Sequence, residues 1–130
     1  ANIVSEGKDI TIVSYSNMVN VAKEAIAAEE LQNCSIELID LQTVSPIDYD
    51  TIKTSLKKTK KLLVCQEAPA NSSVGTTVIS KIVESELFQE LEIAPKLVSG
   101  LHSPMPSAKH LELNVIPQVE DITNAVKSML

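Results

Sequence analysis

Four times along this chain an apolar run of strand length gives way to apolar residues at helical spacing, and that alternation leaves few architectures open. Ile10 to Tyr15 is the first run, and Met18, Val21, Ala22, Ala25 and Ile26 carry the helical period on towards Leu31. Ile36 to Leu41 is the second, followed by Tyr49, Ile52, Ser55 and Leu56. Leu62 to Gln66 is the third, followed by a helical pattern from Val74 to Leu87, and Lys96 to Ser99 is a short fourth. A last helix is expected from about Val119 to Met129, with Glu120 and Asp121 in its first turn, where negative charge is stabilised by the helix dipole. The runs are nearly continuous rather than alternating, as strands covered by helices on both faces must be. The expected fold is therefore α/β: three layers, a mostly parallel sheet of four to five strands, helices on both faces and right-handed crossovers. Leu111 to Val115 reads either as a fifth, edge strand or as extended chain. Residues 1–8 read as a linker remnant and 9–130 as one domain. The chain begins without methionine, and the expectation is that it is cut from a longer polypeptide.

The bends between these units carry the local signals. In Asp40-Leu41-Gln42-Thr43-Val44-Ser45-Pro46-Ile47-Asp48 a strand ends, Pro46 stops the extended run, and Asp48 is placed to cap the next helix. Ser16 or Asn17 is the expected cap of the first helix. Lys57, Lys58, Lys60 and Lys61 fall at the end of the second, where cations suit the helix dipole without any ligand.

Composition narrows the functional classes. With only 2% aromatic residues in a chain that is 44% hydrophobic, the core must be built from Ile, Val, Leu and Ala. A net charge of −6 argues against nucleic acid or an anionic membrane as partner, since both attract cationic surfaces. It suits a basic protein partner, although solubility alone accounts for it equally well. Cys34 and Cys65 form neither a disulfide framework nor a zinc site and read as reduced thiols of a cytosol-like compartment. No apolar run reaches the length of a membrane-spanning helix, and no secretory signal pattern is present.

In a parallel sheet the carboxyl ends of the strands form one rim, where ligands of such folds sit. That rim collects Tyr15, Ser16, Asn17, Gln42, Thr43, Gln66, Glu67, His102 and Ser103. Glu67 is the strongest acid/base candidate because it leaves an apolar strand; the ordinary alternative is a carboxylate bonded to neighbouring backbone. His102 as a proton carrier stands against a solvated loop histidine, and His110 carries no argument. With three glycines in the chain, no Gly-x-Gly-x-x-Gly or Gly-Lys-Ser/Thr phosphate loop can be assembled. The Asn71 to Gly75 bend offers helix-start N–H groups, a weak anion signal. No metal-ligand spacing and no nucleophile motif occurs. The residues alone describe an α/β domain with a modest polar rim and no catalytic, cofactor-binding or metal site of its own.

The order of motifs resembles the C-terminal domain of the transketolase superfamily, and within it the beta subunit of 2-oxoacid dehydrogenases. The matching residues are Glu6-Gly7-Lys8-Asp9-Ile10-Thr11-Ile12-Val13-Ser14-Tyr15, Met18, Ile39-Asp40-Leu41, Thr43, Pro46 and Asp48. They continue through Glu67-Ala68-Pro69, Gly75, Gly100, Pro104 and Pro106 to Pro117, Val119, Glu120, Asp121 and Ile122. The resemblance covers Ile3 to Leu130. It implies a holoenzyme that decarboxylates pyruvate or a branched-chain analogue with thiamine diphosphate and magnesium, both held by parts other than this domain. It also implies assembly with an alpha subunit and a second beta subunit, and docking to the basic subunit-binding domain of a dihydrolipoyl acyltransferase. Glu90, Glu92 and the Leu130 carboxylate are the implied docking contacts. The implied compartment is the bacterial cytoplasm, or the mitochondrial matrix or plastid of a eukaryote. The chain departs from the family pattern at Ser16 (glycine), Gln42 (arginine), Gln66 (histidine), Asn71 to Gly75 (Gly-Gly-x-Gly) and His102 (an acid). Alternatives are the C-terminal domain of transketolase or deoxyxylulose-phosphate synthase, and a free-standing small-molecule sensor using the rim.

Overall fold

A computed structural model of the 130-residue chain describes residues 1–101 and 115–130. Five strands make one sheet in the order β1-β3-β2-β4-β5. They are β1 (Asn2–Ser5), β2 (Ile10–Ser14), β3 (Ile36–Asp40), β4 (Leu62–Pro69) and β5 (Lys96–Gly100). The helices among the described residues are α1 (Met18–Ala27), α2 (Tyr49–Thr59), α3 (Val74–Val83) and α4 (Val119–Met129), with 3₁₀ turns at Glu29–Leu31 and Glu86–Glu90. β2, β3, β4 and β5 pair in parallel, and β1 runs antiparallel to β3.

The period of two along the central strands divides the core into two layers. Ile10, Ile12, Ile36, Leu38, Leu63 and Cys65 face α1 and α4, packing on Met18, Ala22, Ile122 and Val126. Val13, Ile39, Leu62 and Val64 face the other way, onto Ile52 and Leu56 of α2 and Val78 and Ile82 of α3. Both faces being covered explains why the sequence runs are continuous.

Two expectations change. Residues 1–8, read as a linker, contain β1: Val4 packs on the core, and Ser5 Oγ donates to Ile36 O at 3.3 Å. The turn that brings β1 back needs Gly7, because any Cβ there would overlap the Ile36 and Glu37 backbone. The antiparallel fifth strand is thus at the amino end of the chain. The strand anticipated at Leu111 to Val115 falls on residues 111–114, outside the described residues. The first helix also lacks the expected cap, since neither Ser16 nor Asn17 offers its side chain to the helix N-terminus. Asp48 does cap α2, accepting from Thr51 N at 3.1 Å, and Ser73 caps α3 in a reciprocal capping box with Thr76.

One polar group sits where sequence gave no role. Glu37 lies in β3, beside Thr11 of β2, with its side chain 2% exposed. Lys58 from α2 reaches it at 2.5 Å, and Gly7 N donates to it at 3.2 Å. Next to it the Thr11 hydroxyl bonds Ser55 and Thr59 of α2, each at 2.6 Å. Burial pushes the Glu37 carboxyl up, but hydrogen bonds from Lys58, Ser55 and Gly7, with the lysine's charge, outweigh it and hold the group below its ordinary value. The staple joins the turn after β1 to β3 and α2.

A depressed folded-state value means that the carboxylate's contribution is complete above the unfolded value, near pH 4.3, and is lost as pH falls through the folded one. Glu37→Gln should therefore lower stability at pH 7 and flatten the acid limb of the urea-unfolding profile. Lys58→Ala should cost about 1–2 kcal/mol, less than a fully buried pair because the lysine is half exposed. A Glu37→Gln profile parallel to the native one from pH 7 to pH 3 would contradict the staple.

Candidate functional site

The sheet changes winding direction at β2. The connection from β2 through α1 enters β3 on one side, and the connection from β3 through α2 returns past β2 to β4 on the other. In open α/β sheets the crevice at such a switch, above the carboxyl ends of the strands, is the ligand position. Here it lies between the end of β2, at Tyr15 to Asn17, and the end of β4, at Gln66 and Glu67.

Surface side chains of the chain meet across this crevice. Asn17 Nδ2 donates to Glu67 Oε1 at 3.4 Å across the switch, and Asn20 Nδ2 donates to Asn17 Oδ1 at 3.4 Å. This is why Asn17 does not cap its helix. Below them Ser14 Oγ donates to Cys65 O at 2.8 Å, and Leu41 N donates to Ser14 O at 2.9 Å. Tyr15 is half-buried beside Glu67; burial first, then the neighbouring carboxylate, raise its phenol above the ordinary value, so it remains neutral.

Gln66 is not on the rim surface. Strand β4 continues three residues beyond the expected end, to Pro69, which leaves Gln66 inside and fully buried. Its Nε2 donates to Ala68 O and Pro69 O, both at 3.1 Å, and its Oε1 accepts from Gly75 N at 2.7 Å. One amide thereby fixes the bend after β4 and the start of α3. Gly75 is required by that contact, since a Cβ would stand 2.5 Å from Gln66 Oε1 and 2.6 Å from Leu97 Cδ1.

The remaining rim candidates scatter. Gln42 is exposed beyond β3, its N–H donating to Asp40 Oδ1 at 3.0 Å. Ser16 (φ 57°), Gln42 (φ 60°) and Ser72 (φ 48°) each hold a left-handed backbone, one in each of the three β-to-α bends after β2, β3 and β4. At Ser16 the position thus keeps the conformation that the family's glycine would favour. His102, Ser103 and His110 lie outside the described residues. Of the implied docking residues, Glu90 ends the second 3₁₀ turn, Glu92 stands 4.0 Å from Lys61, and Leu130 is 61% exposed at the chain end.

The donor set at the switch does not fit a magnesium diphosphate. It offers one half-exposed carboxylate, Glu67, already bonded to Asn17, and an amide whose donor and acceptor are both used. The chain has no arginine, and no group of three or more metal-ligating side chains occurs among the described residues. Among the described residues the arrangement is a chain of surface contacts, Asn20 to Asn17 to Glu67.

Gln66 and Glu67 should therefore respond unequally to substitution. Gln66→Leu strands Gly75 N and two carbonyls and should cost about 2–4 kcal/mol in urea unfolding, whereas Glu67→Ala should change stability by less than about 1 kcal/mol. Equal effects at the two positions would contradict this division.

Comparison with known proteins agrees with this geometry. The family described as Transketolase, C-terminal domain, matches residues 1–122. The pyruvate dehydrogenase E1 component subunit beta of Rickettsia bellii is 39% identical over 129 residues, which is 99% of this chain and 39% of that protein. The mitochondrial subunit of Pisum sativum is 38% identical over 98% of this chain and 35% of its own length. The chain thus spans little more than a third of the curated relatives it matches. Among solved structures, a split-gene transketolase described as an inactive beta4 tetramer superposes with a TM-score of 0.80 at 24% identity, covering 99% of this chain and 41% of that one. A 2-oxoglutarate:ferredoxin oxidoreductase from Magnetococcus marinus gives 0.64 at 16%, covering 99% and 20%; both likenesses concern the fold. The match over residues 1–122, on a three-layer sheet of this order, makes this chain a member of the transketolase C-terminal domain family.

Proposed function

We propose that the chain serves as the C-terminal domain of the beta subunit of a thiamine-diphosphate-dependent 2-oxoacid dehydrogenase acting on pyruvate, with roles in subunit assembly and docking rather than in the chemical step. The observation that carries this reading is the likeness, at 36–39% identity across nearly the whole chain, to pyruvate dehydrogenase E1 beta subunits of both bacteria and mitochondria. The Asn17–Glu67 bridge across the switch supports it from the physical side, because it occupies the place where a free-standing α/β sensor would keep room for a ligand. The transketolase alternative has the family model and a fold likeness at 24% identity behind it, against 36–39% identity to the dehydrogenase subunits. In the holoenzyme, thiamine diphosphate and magnesium belong to other domains, and the alpha subunit and a second beta subunit are the assembly partners. The bacterial cytoplasm and the mitochondrial matrix are both consistent with where these relatives reside.

The finer part of the proposal is docking of the acyltransferase's basic subunit-binding domain, with Glu90, Glu92 and the Leu130 carboxylate as contacts. Glu90 and Glu92 are exposed, and the chain carries a net charge of −6, so attraction to a basic module needs no further device.

Two measurements test this reading. The purified chain, supplied with pyruvate, thiamine diphosphate and magnesium, should release no carbon dioxide above background; sustained turnover would overturn the non-catalytic role. Titration with the subunit-binding domain should give an affinity that falls about tenfold or more from low to high ionic strength and is lost in Glu90→Lys/Glu92→Lys. Salt-independent affinity would contradict the charge argument, and no binding at low salt would contradict docking.

A further inference from the structure

Away from the rim, β1 leaves one flank of the sheet open. It pairs with β3 alone, antiparallel, and is the end strand on its side. Among the described residues no turn or side chain takes the backbone groups of Asn2, Ile3 and Val4 that face away from β3. Natural sheet edges are commonly blocked by lysine or proline. The opposite edge follows that rule: β5 is entered through Pro95-Lys96, and just beyond its end Leu101 N donates to Val115 O at 3.0 Å. Asn2-Ile3-Val4-Ser5 carries neither block. The register shift between Ile3 and Ser5 bends the far end of β1 and confines an added strand to Asn2, Ile3 and Val4. Beside this edge runs a groove of about 410 Å³, with Ile3, 44% exposed, on its β1 side and Thr51, Thr54 and Lys58 of α2 on the other.

Charge selects the occupant. Ala1 N lies 3.3 Å from Asp48 Oδ2, which sets Asp50 near the start of β1, and Glu6 follows its end. Both acids are exposed, and neither forms an ion pair among the described residues. The one cation lining the groove, Lys58, is committed to Glu37, so Glu6 and Asp50 are left uncompensated. An acidic segment would be repelled, and a second copy of this edge would bring the same two acids against each other. We infer that β1 and its groove take up an extended basic segment of a partner protein, added to the sheet as a further strand. Its groove-facing positions, two residues apart, carry an apolar side chain on Ile3 and a lysine or arginine to either side, facing Asp50 and Glu6. Backbone bonds to β1 give such a contact its affinity, and the groove gives it sequence selection. The inference uses only the open edge, its exposure and its charges, and does not depend on the dehydrogenase reading. None of these residues is among the proposed acyltransferase contacts.

The probe is a capped peptide, Thr-Lys-Thr-Val-Thr-Lys-Thr, titrated into the full chain at low ionic strength, with affinity read by fluorescence anisotropy and position by amide hydrogen exchange. It should bind, slow exchange within Asn2 to Val4, and lose affinity at least about tenfold in Glu6→Lys/Asp50→Lys and on addition of salt. The same peptide with glutamate in place of lysine should not bind. Successive N–H groups of a strand point to opposite edges, so methylating the backbone nitrogens of the threonines and methylating those of the lysines and valine should differ in effect. One set should weaken binding at least about tenfold and the other should leave it nearly unchanged. Both substituted acids are exposed, so circular dichroism should show the variant folded as the native chain is. No binding to the native chain at low salt, affinity indifferent to the charge reversal, equal effects of the two methylated sets, or protection falling elsewhere in the chain would each overturn the inference.

Discussion

The burial of β2, β3 and β4 on both faces is the constraint from which the rest of the structure follows. Every one of their side chains from Ile10 to Ser14, Ile36 to Ile39 and Leu62 to Gln66 is withdrawn from solvent. Polar groups can persist in such a layer only when fully bonded. Those that do persist are structural: Thr11 with Ser55 and Thr59, Glu37 with Lys58 and Gly7, Ser14 with Cys65 O, and Gln66 with Ala68, Pro69 and Gly75. No side-chain donor or acceptor buried among the described residues is left without a partner. In this layer the polar side chains serve to join the strands to the helices that cover them.

The rim shows how a ligand position becomes a joint. In an α/β sheet that winds both ways, the bends leave the crevice at the switch open by default. Here Asn17 and Glu67 bridge it, and the bend beneath Gln66 is pinned by an amide with no freedom left. Left-handed backbone at Ser16, Gln42 and Ser72 costs of order 1–2 kcal/mol per non-glycine residue. That cost is tolerable because each bend is anchored at both ends by a buried strand and a packed helix.

Much of this was legible in the chain, and the exceptions have physical causes. The parallel strands and their helices were visible because double-sided burial forces uninterrupted apolar runs. Asp48 as a helix cap was visible because capping is local in sequence. β1 escaped because four half-polar residues on a sheet edge carry no period, and only Gly7, pressed against the Ile36 backbone, marks the turn. Asn17 and Glu67 were both placed on the rim, but their mutual contact was not legible because they lie fifty residues apart. Gln66 was read as a surface residue because a strand that runs on through Ala68 and Pro69, past a shift in its register, has no apolar signal at its end. Glu37 had a signal, a lone acid within Ile36-Glu37-Leu38-Ile39, which called for a buried cation; Lys58, one of four clustered lysines, answers it.

In the proposed role the reactive coenzyme belongs to other domains, and calorimetric titration of thiamine diphosphate with magnesium into this chain alone tests that most directly. The expected trace is featureless apart from heats of dilution, even at millimolar ligand. A saturable isotherm with a micromolar dissociation constant and near-unit stoichiometry would contradict it, and would require the switch between Asn17 and Glu67 to open.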